Sequence, residues 1–351
     1  MQRQLYTAGL LALIIVVIAT ATTILGTTLY ERIVTNMMIM MVLVISLQSF
    51  MGNSGILSFA HVGFMAIGAY VSAIFTIPVQ MKGMALPDLY PFMKDMHLPV
   101  YAAILIGGVV AAIVAAAVSF PLMRLSDSAA VITSFGLLVV IYTVTNNWSA
   151  LTNGPRTLFG LPKATDLGMA SVAAIGAVIV AVWFKESRTG KLLRASRDDE
   201  RAAAAIGANI PVLRWRAFVL AALLAGIGGG LWGHFITSFA PKAFYLKETF
   251  LIISMLVIGG TNTVTGAVVG TLLVTFVYEG LRAFEGQLNA LNIAGGQVVG
   301  LTEIVLSLAM IAILVLRPGG LIENREIGSI FRQRRPRPAA KAGKLSAKRE
   351  G

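Results

Sequence analysis

Cysteine is absent from the 351-residue sequence, which excludes a disulfide framework, thiolate metal sites and a cysteine nucleophile. Charge is scarce too, at 13% of residues, about half the ~25% of a soluble domain. A water-facing globule of this length could not cover itself with so few charges. Histidine occurs only at His61, His97 and His234, without H-E-x-x-H spacing, so no metal site is expected. The phosphate loop G-x-x-x-x-G-K-S/T is missing: ahead of Gly190-Lys191, Lys185 stands where its first glycine belongs. The chain is therefore expected to carry no catalytic residue, cofactor or metal, and not to hydrolyse ATP itself.

Apolar sequence fills the space. Hydrophobic residues make up 57% of the chain and the mean hydropathy is +0.81, so the expectation is an all-α polytopic membrane protein. Ten runs read as helices: Leu5–Leu25, Ile33–Met51, Phe59–Ile77, Val100–Leu122, Ala129–Thr145, Met169–Phe184, Ala217–Ile236, Phe250–Gly259, Val264–Tyr278 and Val299–Leu316. Each approaches the ~20 apolar residues of a span, except Phe250–Gly259. That run must borrow Lys247–Thr249 or Gly260–Thr263 or be re-entrant, so the region from Phe250 to Tyr278 reads as two spans or a broken helix. The first run, with Ala19-Thr20-Ala21 near its end, resembles a signal peptide, but its apolar character continues to Leu25 and an uncleaved first span is expected.

The net charge of +12 could suggest nucleic-acid binding, but ten of the twelve excess charges lie in residues 185–216 and 322–351. Under the positive-inside rule these segments are cytoplasmic, and ten crossings put both termini there. The division expected is a transmembrane domain over residues 1–321 containing a cytoplasmic loop at 185–216, and a basic, disordered tail over 322–351.

Gly228-Gly229-Gly230-Leu231-Trp232-Gly233 matches G-x-G-x-x-G formally, yet lies inside an apolar run rather than after a strand. Small-xxx-small spacing of Gly226, Gly229, Gly230 and Gly233 instead suits close helix packing. Ion-coupled transporters carry embedded carboxylates, whereas the only acid well inside a run is Glu303, near the outer end of the last span, where pairing or snorkelling explains it. A secondary transporter and a membrane-embedded enzyme are both disfavoured on these grounds.

Two polar interruptions adjoin spans: one carries Asn53, Ser54, Ser58 and His61, the other Thr261, Asn262 and Thr263. Irregular polar backbone at membrane depth needs protein or a water-filled cavity around it, so these residues are either translocation-path candidates or interfacial turns. The loop at 185–216 carries a helical pattern from Leu192 to Ile206. Leu192, Ala195, Asp199, Ala202, Ala203 and Ile206 share one face, and Lys191, Arg194, Arg197, Asp198 and Arg201 another; Gly207 and Pro211 end the helix. An alanine-rich face is poor for lipid insertion and good for docking into a protein groove.

Four segments give the chain a family likeness: GNSGILSFAHVGFMAIGAY from Gly52, SRTGKLLRASRDDERAAAAIGANI from Ser187 leading into RAFVLAALLAGIGGGLW, LVIGGTNTVTGAVVG from Leu256, and LRPGGL from Leu316. Together they resemble the M-type permease subunits of branched-chain amino acid ABC importers. Ala60 stands where the family pattern has glycine, and Glu200 sits one place early in the loop pattern. The resemblance implies about ten helices, as in the cobalamin-importer class of permeases. It also implies a bacterial inner-membrane location, a second H-type permease, two ATP-binding subunits and a periplasmic binding protein. It makes Leu192, Ala195, Glu200, Ala202, Ala203, Ile206 and Gly207 the ATPase-coupling residues. Importers of urea and short-chain amides have similar permeases, so the implied substrate is a branched-chain amino acid or such an amide.

Overall fold

The computed structural model describes residues 2–125, 127–291, 300–317, 319–322 and 326–327. In hydrocarbon every backbone N–H and C=O must be satisfied within the protein, which leaves helices as the natural state of apolar runs. In chain order the helices are α1 Gln2–Leu25, α2 Thr28–Ser54, α3 His61–Thr76, α4 Val79–Ala85, α5 Pro91–Lys94, α6 Val100–Leu122, α7 Asp127–Asn147 and α8 Ser149–Thr152. There follow α9 Leu167–Glu186, α10 Arg188–Asp198, α11 Glu200–Ala205, α12 Ile210–Ile236, α13 Leu246–Gly259, α14 Val264–Ala290 and α15 Leu301–Leu316. Among the described residues the only extended pairing is an isolated antiparallel bridge between Leu158 and Phe239. The fold is all-α and polytopic: α1, α2, α6, α7, α9, α12 and α14 are long and apolar enough to cross a membrane, while α3 and α15 are shorter apolar helices.

Each expected run falls on a helix. The short eighth run extends at its N-terminal side, so α13 takes in Leu246 to Thr249 and stops at Gly260. Gly260 has φ +119°, a conformation few side chains tolerate. Thr263 then caps α14, its hydroxyl accepting from the Gly266 N–H at 2.9 Å. The region from Phe250 to Tyr278 is thus a tight helical hairpin. Its two arms touch so closely that a Cβ on Gly270 would lie 2.0 Å from the Met255 carbonyl oxygen.

Helix α2 is the axis of the molecule. Every residue from Met37 to Phe50 is buried, as an element that is hydrophobic all round requires. Helices α9, α12 and α14 pack on it, and α12 in turn packs on α3 and α6. That second contact depends on missing side chains. A Cβ on Gly229 would sit 1.9 Å from the Met65 carbonyl oxygen, and one on Gly226 would sit 2.7 Å from the Ala111 Cβ. A Cβ on Gly68 of α3 would run into the Gly226 carbonyl oxygen and one on Gly228 would lie 2.7 Å from the Leu43 side chain of α2, whereas a Cβ on Gly230 or Gly233 would meet only side chains, at 3.1 Å and 3.0 Å.

The long helices alternate in direction, so loops gather at two ends. At one end lie the buried Lys82, whose ammonium donates to the Met93 carbonyl at 3.1 Å and to that of Met96, and the Leu158–Phe239 bridge. Lys247 and Glu303 form an ion pair there at 2.7 Å, which accounts for the one acid placed inside an apolar run. At the other end lie the α2–α3 turn, the α13–α14 turn, the segment after α15, and α10 with α11.

Here the structure corrects two expectations. The single helix expected from Leu192 to Ile206 is two, because Asp199 takes an extended conformation and its carboxylate caps α11 by accepting from the Ala202 N–H at 2.9 Å. A capping side chain competes with helix continuation. The first piece also starts earlier, at Arg188, where the Ser187 hydroxyl accepts from the Gly190 N–H at 3.1 Å. Pro211 does not merely block the loop helix: it occupies the first turn of α12, whose cap is Asn209, so that helix begins ahead of the expected Ala217.

Candidate functional site at the basic end of the bundle

The break at Asp199 turns the loop helices through a different register from the one expected. In α10 the buried residues are Gly190, Leu193 and Ser196, and in α11 Ala203. Leu192 is half-buried, and Ala195, Glu200, Ala202, Ile206 and Gly207 are exposed, Ile206 to 72%. The loop therefore presents alanines and one isoleucine away from the bundle, among the exposed charges of Lys191, Asp198 and Arg201. Gly207, at φ +85°, closes α11 with a bond from the Ala208 N–H to the Ala203 carbonyl at 3.1 Å, a turn that needs a left-handed residue. Glu200 is fastened sideways. Its carboxylate accepts from the buried Arg214 guanidinium at 3.1 Å, and Arg214 also donates to the Leu125 carbonyl at 3.4 Å.

Beneath α10 the two polar interruptions come together. A Cβ on Gly52 would lie 2.4 Å from the Thr261 carbonyl oxygen. Arg197, expected on one face with Lys191, Arg194, Asp198 and Arg201, points inward: its guanidinium donates to the Gly52 carbonyl at 3.0 Å and to Asn262 Oδ1 at 2.7 Å. Lys185, buried at the end of α9, donates to the Asn262 carbonyl at 2.9 Å and forms an ion pair with Glu326. The Glu326 carboxylate in turn accepts from the Val264 N–H at 3.0 Å, the Thr265 N–H at 3.1 Å and the Thr265 hydroxyl at 2.5 Å. It thus covers the start of α14, where unpaired N–H groups and the helix dipole favour an anion. Burial pushes this carboxyl up, but the Lys185 ammonium and the Thr265 bonds outweigh it and leave it below its ordinary value.

The glycine pair after α15 makes this approach possible. The N–H groups of Leu321 and Ile322 donate to the carbonyls of Ile258 and Gly259, each at 3.0 Å, and a Cβ on Gly320 would lie 2.6 Å from the Gly260 Cα. Of the path candidates, Thr261 and Asn262 are half-buried at this junction, and Thr263 is buried. Asn53, Ser54, Ser58 and His61 are buried within the subunit. Asn53 and Ser54 bond to carbonyls of their own helix, Ser49 at 2.9 Å and Phe50 at 2.8 Å. His61 bonds to Ser58 at 3.1 Å, with its ring tilted against Phe50 and edge-to-face with Phe218. Sequence reasoning missed Lys185, Arg197 and Glu326 as a unit. Its one available signal was LRPGGL, a glycine pair placed just after a helix end. The tail from residue 328 onward lies outside the described residues.

Residues 29–314 match the family described as branched-chain amino acid transport system / permease component. The chain belongs to this family. Among similar proteins, the high-affinity branched-chain amino acid transport system permease protein LivM of Escherichia coli is 24% identical over 326 residues, covering 83% of the permease and 69% of LivM. LivH of Salmonella typhimurium is 24% identical over 249 residues, 63% of the permease and 75% of LivH. The nucleoside ABC transporter permease protein NupC of Lactococcus lactis is 26% identical over 140 residues, 39% and 40% of the two chains. No solved structure matches the permease.

Proposed function

We propose that this chain is the M-type permease subunit of an ATP-driven importer for branched-chain amino acids in a bacterial inner membrane. It works beside an H-type permease, two ATP-binding subunits and a periplasmic binding protein. The likeness to LivM along 83% of the chain is the observation that carries this reading. The NupC likeness covers 39% and leaves nucleosides as the rival cargo to be tested.

In this reading the basic end is cytoplasmic, ten helices cross the membrane, and both termini lie inside. The exposed face of α10, α11 and the turn after them, with Ala195, Ala202, Ile206 and Gly207, seats in a groove of the ATPase. Small side chains allow close backbone approach, and Ile206 supplies an apolar anchor. Energy enters by that contact, because the sequence has no phosphate loop and Glu303, the acid inside an apolar run, is tied to Lys247. The translocation path, with the two polar interruptions at its cytoplasmic mouth, opens and closes as the ATPase moves. The test is uptake into proteoliposomes holding the whole complex. Leucine, isoleucine or valine uptake should require ATP on the ATPase side and survive collapse of the proton gradient; uptake on a gradient alone, or of nucleosides in preference, would sink the reading.

A further inference from the structure

The permease has to convert movement of α10 into movement of the helices around its path, yet α10 is joined to α9 and α11 by tight turns and to the rest of the bundle by side chains. Packing ties it to α2 and α12. The polar bonds are more selective. Arg197 spans two elements at once, the end of α2 through Gly52 and the α13–α14 turn through Asn262. From Asn262 the chain of bonds continues to Lys185, from Lys185 to Glu326, and from Glu326 to the first turn of α14. The segment after α15 is thereby strapped across the α13–α14 turn and held by both backbone bonds and a charge.

We infer that Arg197, Lys185 and Glu326 are positioning residues for transport: they form a polar latch that makes α10, the end of α2 and the α13–α14 turn move as one body, with the strap after α15 as its closing member. This rests on the proposed import function and adds to it the residues by which the loop's motion reaches the path.

Three features of the geometry support a device over a plain fold contact. First, the latch joins segments far apart in sequence, from Gly52 to Glu326, all at the end that carries the loop. Second, its joints are few and directional, so loss of one side chain disconnects a named element. Arg197→Gln removes the charged bonds from α10 to Gly52 and Asn262, whereas Glu326→Gln leaves Arg197 in place and removes only the ion pair of the strap with Lys185, its backbone bonds to Ile258 and Gly259 remaining. Third, apolar packing elsewhere holds the bundle together without it: Phe50, Phe64 and Phe218 are fully buried in edge-to-face contact.

The experiment uses the assembled transporter in proteoliposomes, comparing wild type with Arg197→Gln, Glu326→Gln and Glu326→Asp. The expected result is retained assembly with the ATPase and an ATP cost per substrate imported that rises about threefold or more in the two Gln variants. Glu326→Asp, which keeps the charge, should lie nearer wild type. A second readout needs no knowledge of cargo: nucleotide binding should alter hydrogen exchange in α10 and in residues 258–266 together in wild type, and in α10 alone in Arg197→Gln. An unchanged ATP cost with joint exchange changes in Arg197→Gln would overturn the latch. So would loss of assembly in all three variants, which would make these bonds structural only. Wild-type liposomes that import no branched-chain amino acid would defeat the import reading instead, and the exchange readout would still decide the latch.

Discussion

At the scale of single residues, the close approach of α12 to α3 and α6 is the sharpest constraint. Gly229 and Gly230 are neighbours in sequence and look alike in a small-xxx-small pattern, but their surroundings differ in kind. A Cβ on Gly229 would meet main chain, which cannot step aside, whereas one on Gly230 would meet the Ile104 side chain at 3.1 Å and the Ser72 hydroxyl at 3.3 Å. Gly229→Ala should therefore destabilise the subunit by about 1–3 kcal/mol or more, the usual cost of overpacking, and lower its thermal unfolding temperature in detergent. Gly176→Ala is the control, since nothing lies within 4 Å of a Cβ there. Equal unfolding temperatures for the two variants would contradict the backbone contact. The pattern of glycines was legible in sequence; which of them touch backbone depended on how α3 and α6 meet α12.

At the scale of elements, the loop between α9 and α12 shows how capping overrides periodicity. The alanine-rich stretch keeps a helical spacing through Asp199, and on spacing alone Ala202 and Ala203 share a face. The cap at Asp199 breaks that continuity and leaves Ala203 buried while Ala202 points outward. This separates two effects of the same substitution. Ala202→Glu or Ile206→Arg should leave the subunit inserted and folded but strip it of ATPase on co-purification, with stimulated hydrolysis reduced at least about tenfold, as for loss of an interface anchor. Ala203→Glu should instead bury a charge inside the permease itself and lower its yield in the membrane, since an unpaired buried carboxylate costs several kcal/mol. The coupling face fails if Ala202→Glu and Ile206→Arg both retain the ATPase at wild-type levels.

On the scale of the whole molecule, the alternation of helices sends the basic loop and the strap after α15 to one end and the Lys82 and Lys247 loops to the other. The lack of cysteine makes this easy to check, because every introduced thiol is the only one. With a membrane-impermeant maleimide on intact cells, a cysteine at Met84, 75% exposed, should label from outside. One at Ile206 should label only after the cells are opened. Labelling of both from one side would contradict the proposed ten-crossing topology.

What the amino-acid order settled alone was the class of molecule and the approximate place of its apolar helices. Too little charge to meet water and runs near the length of a bilayer leave the backbone no other way to satisfy its hydrogen bonds. Both are properties of contiguous sequence, so composition and length were enough. The break after Gly259 was only half legible: the sequence left two spans or a broken helix open, and the left-handed Gly260 with the Thr263 cap decided it. Tertiary structure alone decided that Arg197 turns inward, that Lys185 finds Glu326, and that Gly320 lies on Gly260. Each of these pairs residues distant in the chain, and each follows from the angles at which packed helices bring their ends together. No local period encodes those angles; they come from the summed fit of buried surfaces around α2 and α12.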